Sequence, residues 1–140
     1  SEYFTIYLPQ NILPSGKLEI YNNLGLIYKR INKFDFSINN FKKTLEMDPN
    51  YYQGYNNLGV VYLEKSQLDE AIDLFNKCIQ INQGFVEAYN NLGMGLNKKK
   101  KYHSAILILE RGLKIDPNFK NIFVNKKNLG FEIFISAVVV

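Results

Sequence analysis

Apolar residues recur along the chain at intervals of three and four, which places them on one face of an α-helix. Within residues 18–51, two such runs of about 14 residues are separated by a turn near Asn32-Lys33. The same two-run pattern returns in 52–85 and in 86–119. Neither helix of a pair could bury its apolar face alone, so the pattern predicts helical hairpins that stack on one another.

Short polar segments mark the ends of these hairpins. The first and third close with Asp48-Pro49-Asn50 and Asp116-Pro117-Asn118, where proline cannot continue a helix. The second closes with Asn82-Gln83-Gly84, and we expect Gly84 to supply the stop that proline supplies elsewhere.

The segment Tyr-Asn-Asn-Leu-Gly occurs at 21–25, 55–59 and 89–93, each copy 34 residues from the next. Recurrence at a fixed period indicates one structural unit that was copied and stacked. The glycine of each copy falls inside a predicted helix, where glycine costs about 1 kcal/mol relative to alanine. We expect a close approach of two helices to offset this cost, with Ala71 and Ala105 as the matching small residues on the second helices.

The two ends of the chain depart from the period. Residues 1–17 match no repeat, and Pro9, Pro14 and Gly16 are expected to break any long helix there. This segment is either the remnant of a preceding element or an arm that lies on the first repeat. Residues 120–140 are predicted to be a capping helix, over about 120–135, and a tail. The apolar residues of that end pack on the array, mediate self-association or open a truncated fourth repeat.

Composition argues against catalysis and metal binding. Cys78 and His103 are the only cysteine and the only histidine, so no internal disulfide can form, and we expect neither a zinc site nor a nucleophile–histidine arrangement. We therefore predict a non-enzyme without cofactors, and a cytoplasmic location. Cys78 shares its repeat position with Thr44 and Gly112, which predicts a small, buried core residue.

Charge is unevenly distributed. The net charge is +4, but residues 1–97 hold 8 Lys/Arg against 10 Asp/Glu, whereas 98–140 hold 9 against 3. The run Lys98 to Lys101 is interpreted as a solvated turn, with a patch for an acidic partner or nucleic acid as the alternative. Because the aromatic residues follow the core period, a nucleic-acid partner is disfavoured. No apolar run approaches the roughly 20 residues that cross a bilayer.

The repeats resemble the tetratricopeptide repeat family, whose 34-residue unit has the pattern W-x2-L-G-x2-Y…A-x3-F…P. The matching positions, copy by copy, are the aromatics Tyr21, Tyr55 and Tyr89; the pairs Leu24-Gly25, Leu58-Gly59 and Leu92-Gly93; Tyr28, Tyr62 and, departing from the pattern, Leu96; Ser37, Ala71 and Ala105; Phe41, Phe75 and Leu109; and Pro49, Gln83 and Pro117. The resemblance covers about 18–119. It implies an all-α fold in which three tetratricopeptide hairpins stack as a right-handed α-solenoid.

In that family the first helices line a concave groove. Positions resembling groove positions, predicted here to bind a peptide, are Asn22, Asn23, Leu26, Lys29, Arg30, Asn56, Asn57, Val60, Leu63, Asn90, Asn91, Met94, Asn97 and Lys98, with Glu64 beside them. The Asn pairs are similar to the Asn ladder that grips peptide backbone in the O-linked N-acetylglucosamine transferases. The second Asn of each pair is the leading candidate for ligand contact, because a primary amide both donates and accepts. The alternatives are that the pairs bridge neighbouring repeats or persist from duplication.

The resemblance also bears on partners. Some family members clamp the C-terminal carboxylate of heat-shock chaperones with Lys and Arg on the third repeat's first helix, where this chain has Glu87 and Asn91. We therefore expect no such clamp. The predicted function is a protein-interaction scaffold that binds a peptide or partner helix of unknown identity. The alternatives are a substrate-recognition arm of a longer enzyme, such as a glycosyltransferase, and a module that self-associates through its array ends.

Overall fold

The computed structural model describes residues 14–122 and 125–130. Six α-helices follow one another, and their bounds are Pro14–Arg30 (α1), Phe34–Met47 (α2), Tyr52–Glu64 (α3), Leu68–Ile81 (α4), Val86–Lys98 (α5) and Tyr102–Ile115 (α6). Residues 120–122 and 125–130 are also helical and are called the C-terminal helical segment below. The all-α prediction and its three helical hairpins, α1–α2, α3–α4 and α5–α6, are confirmed. Most of the non-repeat N-terminal segment and the tail 131–140 lie outside the described residues.

Helix α1 begins earlier than the sequence predicted. Pro14 is its first residue, and Gly16 lies inside the helix rather than breaking it as expected. Proline is compatible with the first helical position, because its missing N–H would have no intrahelical partner there and its φ angle already suits the helix. The first helix is therefore 17 residues long, against 13 in α3 and in α5.

The turn inside each hairpin contains one residue in the left-handed region. These residues are Asn32 (φ 59°), Ser66 (φ 61°) and Lys100 (φ 61°), which are 34 residues apart and follow the predicted turn position. Asparagine tolerates this conformation better than serine or lysine does. The three turns thus share one backbone path although only the first has a residue suited to it.

The connections between hairpins end the second helices with a side-chain hydrogen bond. The carboxylate of Asp48 accepts from the backbone N–H of Asn50 at 2.9 Å, and Asp116 accepts from Asn118 at 2.9 Å. Asn82 replaces the aspartate and accepts from the N–H of Gly84 at 3.0 Å. No glycine among the described residues has a positive φ, so the prediction that Gly84 stops α4 as a C-terminal glycine is wrong. The shared stop is an Asx turn, in which a side-chain oxygen bonds to the backbone two residues on.

The repeated glycines allow the two helices of each hairpin to approach closely. A Cβ atom added at Gly59 would lie 2.6 Å from Cε1 of Phe75, and one at Gly93 would lie 2.5 Å from Cδ2 of Leu109. Gly25 faces Phe41 in the same way. The close approach is as predicted, but the nearest side chain is the large residue of the second helix rather than Ala71 or Ala105. The small position also contributes: the Ser37 hydroxyl donates to the carbonyl of Gly25 at 2.7 Å.

Stacking of the hairpins buries a core between them. Phe75, Cys78 and Ala88 are fully buried, with Tyr89 and Leu92 at 2% exposure in the same cluster. Cys78 and its counterparts Thr44 and Gly112 are all buried, as predicted. A Cβ at Gly112 would lie 2.5 Å from Cδ1 of Ile122, which shows how tightly the C-terminal helical segment packs on the third repeat.

The first helices gather on one side of the stack. Helix α3 contacts both α1 and α5, whereas no Cα atom of α4 lies within 8 Å of one in α2 or α6. Helices that contact one another across repeats lie on the inside of a curved array, and helices that do not lie on the outside. We call the face formed by α1, α3, α5 and the C-terminal helical segment the concave face.

Candidate functional site

A row of hydrogen bonds between asparagine amides crosses the concave face. Nδ2 of Asn57 donates to Oδ1 of Asn22 at 3.0 Å, and Nδ2 of Asn91 donates to Oδ1 of Asn56 at 2.9 Å. A third bond of 2.7 Å joins Asn125 to Asn90. In each bond the second Asn of one repeat reaches back to the first Asn of the preceding repeat. We call this row the amide ladder.

Asn125 was missed by sequence reasoning. It lies 34 residues after Asn91, one period on, and makes the same kind of hydrogen bond as Asn57 and Asn91 do. The later triplet Asn128-Leu129-Gly130 resembles the Asn-Leu-Gly part of the repeat motif but lies three residues out of phase with it. The period alone was the signal that could have found Asn125. Its bond to Asn90 extends the ladder beyond the third repeat.

The ladder shows that the Asn pairs bridge neighbouring repeats, one of the two roles open from the sequence. The first Asn of each pair is buried: Asn22, Asn56 and Asn90 are each 8% exposed. Among the second Asn residues, Asn57 and Asn91 are half-buried and Asn23 is exposed. Ligand contact by these amides stays a prediction, and each amide keeps hydrogen-bonding capacity beyond its ladder bond because it has two donors and two acceptor lone pairs.

The remaining predicted groove residues fall into two sets. Leu26, Val60 and Leu63 belong largely to the core, since the first two are half-buried in the apolar clusters and Leu63 is only 6% exposed. The others reach solvent to a greater degree and are Lys29, Arg30, Met94, Asn97 and Lys98. The 37% exposure of Met94 makes it the most accessible apolar side chain among the predicted groove residues.

Lys29, one of the predicted groove cations, forms an ion pair between neighbouring repeats. The ammonium group of Lys29 lies 3.8 Å from the carboxylate of Glu64, 35 residues later. Arg30 and Lys98 are exposed. The concave face therefore presents both signs of charge rather than a uniformly basic or acidic surface.

A crevice opens where α5 meets the C-terminal helical segment. Its volume is about 120 Å³, and the described residues that line it are Gly93, Met94, Asn97, Asn125, Asn128 and Leu129. Two of these residues, Met94 and Asn97, belong to the predicted site. The crevice wall is completed by residues that fall after the third repeat.

One residue of the lysine run links neighbouring hairpins near the turn between their helices. Lys99 forms an ion pair with Asp69 of the preceding hairpin, as Lys65 does with Asp35 at 3.2 Å. The hydrogen bond and charge of Lys99 lower the pKa of Asp69 below its usual value. Asp69 lies in the first turn of α4, where the helix dipole favours negative charge, and its partner Lys99 on the next hairpin adds to this stabilisation.

The single cysteine and the single histidine of the chain lie in different environments. Burial raises the pKa of the Cys78 thiol to about 12, which keeps it protonated and unreactive. His103 is the second residue of α6, and its side chain is exposed. Residues 14–122 and 125–130 contain no group of three His, Cys, Asp or Glu side chains placed to hold a metal ion. Over the same residues, no helix has both the length and the apolar character needed to traverse a bilayer.

Comparison with known proteins accounts for this architecture. Two family models, both described as tetratricopeptide repeat, match residues 18–51, 52–85 and 86–119. None of the curated protein sequences compared with this chain matches it significantly.

Solved structures resemble the fold at low sequence identity. The first TPR domain of human RPAP3 superposes with a TM-score of 0.84 at 19% identity, covering 91% of this chain and 100% of that one. The first TPR of Spaghetti (RPAP3), bound to the HSP90 peptide SRMEEVD, gives 0.80 at 19%, covering 89% and 98%. The TPR2B domain of yeast Sti1, in a complex with pHsp70, gives 0.78 at 21%, covering 83% and 98%. At these identities the likeness establishes the fold.

Proposed function

Since the chain belongs to the tetratricopeptide repeat family, we propose that it is a non-catalytic protein-interaction scaffold whose concave face binds an extended peptide or a partner helix. One observation carries the proposal. The first helices and the C-terminal helical segment share a single face, and a row of primary amides crosses that face at every repeat. The face is therefore periodic, and so is the main chain of an extended ligand.

The ladder favours a peptide ligand because it leaves amide groups partly unused. Each bond uses one N–H of the second Asn and one lone pair of the first. The second Asn keeps its own oxygen and another N–H, and Asn57 and Asn91 are only half-buried. Those groups suit the carbonyl and N–H of a peptide bond whatever side chains the ligand has. The ladder bonds would also hold the amides in place before binding, which lowers the entropic cost of association.

The solved relatives support peptide binding by this fold and help to exclude one ligand class. The Spaghetti domain is bound to the HSP90 peptide SRMEEVD, and yeast Sti1 TPR2B is in a complex with pHsp70. In this chain Glu87 is exposed where the resemblance expects a cation of the carboxylate clamp, and the amide of Asn91 is bonded to Asn56. We therefore propose a ligand that is not recognised through a C-terminal carboxylate.

Selection from a library of random peptides tests the proposal. The full chain should enrich peptides that bind saturably in fluorescence anisotropy. Met94→Glu, on the concave face, should weaken that binding by about tenfold or more through loss of an apolar contact and added charge. The matched control is Leu107→Glu on α6, where the side chain is 61% exposed, and it should leave binding unchanged. Equal binding by wild type and Met94→Glu, or no enrichment at all, would reject the concave face as the binding site.

A further inference from the structure

The crevice beside α5 differs from the rest of the concave face in its chemistry. Asn97, Asn125 and Asn128 supply three primary amides to a space of about 120 Å³. No charged side chain lines it among the described residues. Met94 and the almost fully buried Leu129, at 1% exposure, provide its apolar contacts. Three amides around a space of this size form a small polar site, and only Asn97 among the three was a predicted peptide-binding residue.

The ladder orients one of these amides. Nδ2 of Asn125 donates to Oδ1 of the 8%-exposed Asn90 at 2.7 Å, and Nδ2 of Asn90 itself contacts the sulfur of Met94 at 3.8 Å. With its nitrogen held by Asn90, Asn125 has its own oxygen available as an acceptor. The crevice thus lies at the end of the amide ladder, since Asn125 is the last ladder residue among the described residues.

We propose that this crevice binds an uncharged carboxamide group of the ligand on the concave face. A carboxamide has both a donor and an acceptor, and the lining amides can satisfy both. A carboxylate only accepts, so it would leave amide oxygens facing a negative charge without a cation to compensate. The volume fits one group of side-chain size and is well below the roughly 300 Å³ of a typical small-molecule pocket. The proposal rests on the proposed function only for the molecule that carries the bound amide group. That group is either an Asn or Gln side chain of the ligand or one of its main-chain amides.

Small amide probes test the chemistry without knowledge of the ligand. In the ¹⁵N-labelled full chain, the side-chain NH₂ signals of Asn97, Asn125 and Asn128 are followed while propionamide, N-methylacetamide or propionate is added. We expect saturable shifts with an amide, and binding of propionate about tenfold weaker, as expected for mismatched hydrogen-bonding groups. Tighter binding of propionamide would indicate a side-chain carboxamide, and tighter binding of N-methylacetamide a main-chain amide. Shifts that do not saturate, or equal binding of propionate, would overturn the proposal.

Two substitutions localise the probe. Asn128→Leu replaces an exposed lining amide and should abolish the saturable shifts. Asn76→Leu replaces an exposed amide on α4, away from the crevice, and should leave them intact. Persistence of the shifts in Asn128→Leu would also overturn the proposal. The probes bind without any peptide, so a failed titration with intact peptide binding rejects the carboxamide site alone, and the reverse result rejects the proposed function alone.

Discussion

Nδ2 of Asn91 lies 2.9 Å from Oδ1 of Asn56, and this hydrogen bond joins the first helix of the third repeat to the first helix of the second. One bond of the same kind precedes it along the concave face and another follows it. The repeated Asn pair therefore has a structural role that the sequence motif alone did not specify. It also positions amide groups on the face that we propose for ligand binding.

The Asn56–Asn91 bond should be measurable as a coupling between the two residues. Asn56→Ala removes the acceptor and should destabilise the fold by about 1–3 kcal/mol, because the half-buried Asn91 amide loses its partner. A double-mutant cycle with Asn91→Ala, followed by urea denaturation, should give a coupling of about 1 kcal/mol. Asn39→Ala, at an exposed position of α2, is the matched control and should change stability by less than about 0.5 kcal/mol. Strictly additive costs at 56 and 91 would argue against the bond.

Gly59 should not tolerate any side chain. Gly59→Ala places a methyl group 2.6 Å from the ring of Phe75, which is fully buried and cannot move away freely. We expect a loss of about 1–3 kcal/mol in the free energy of unfolding, the usual cost of overpacking. Gly130→Ala is the control, because a Cβ there meets nothing within 4 Å among the described residues and alanine is the better helix former. If both variants have the same melting temperature, the packing of α3 against α4 is not as described.

The left-handed turn residues offer a stabilising substitution. Lys100 has a φ of 61°, and Lys100→Gly should stabilise the chain by about 1 kcal/mol by removing the steric cost of that conformation. Asn32→Gly, at the equivalent position with φ 59°, is the internal comparison and should gain less, because asparagine already tolerates the region. Thermal denaturation of both variants gives the order. A larger gain in stability from Asn32→Gly than from Lys100→Gly would contradict a steric cost of the left-handed conformation at Lys100.

Cys78 should react only when the chain unfolds. Its thiol is fully buried, and burial raises its pKa to about 12, whereas an exposed thiol titrates near 8.5. At pH 8, a thiol reagent should therefore modify the native chain far more slowly than the urea-unfolded chain. Since the folded-state pKa is the higher one, the stabilisation linked to the protonated thiol is complete below about pH 8.5 and falls as the pH rises towards 12. Rapid modification of the native chain would place Cys78 outside the core.

The peptide SRMEEVD, bound by the Spaghetti domain, should not bind to this chain. Glu87 adds a negative charge to the face where the clamp would need a cation, and Asn91 is already engaged with Asn56. Isothermal titration calorimetry with this peptide should show no saturable heat. Micromolar binding would restore the chaperone-type ligand class that we propose to exclude.

The sequence predicted what depends on periodicity and missed what depends on local alternatives. The apolar spacing and the 34-residue period predicted the hairpins, the turn at Asn32 and the close approach at Gly59, because each follows from burying one helix face. The start of α1 at Pro14 was missed because proline disfavours a helix interior and yet suits its first turn. The stop after α4 was assigned to Gly84, although the Asn82 side chain makes the same turn as its aspartate counterparts.

The sequence predicted which helices carry the Asn pairs but not the hydrogen-bond partners of their amides. The pattern placed the Asn pairs on the first helices, where the structure has them. A primary amide bonds equally well to a neighbouring repeat and to a ligand, so the sequence could not separate these roles. Only the three-dimensional register of 35 residues between donor and acceptor, seen for Asn22 and Asn57, distinguishes the bridge.

Photo-crosslinking of a library-selected peptide shows which face of the stacked hairpins holds the ligand. The photoreactive amino acid p-benzoylphenylalanine is placed at position 94 on the concave face or at position 107 on α6, two exposed sites on first and second helices. We expect a crosslink to the peptide from position 94 and none from position 107. A crosslink from 107 with none from 94 would show that the ligand lies on the opposite face, and the concave face would no longer be the binding site.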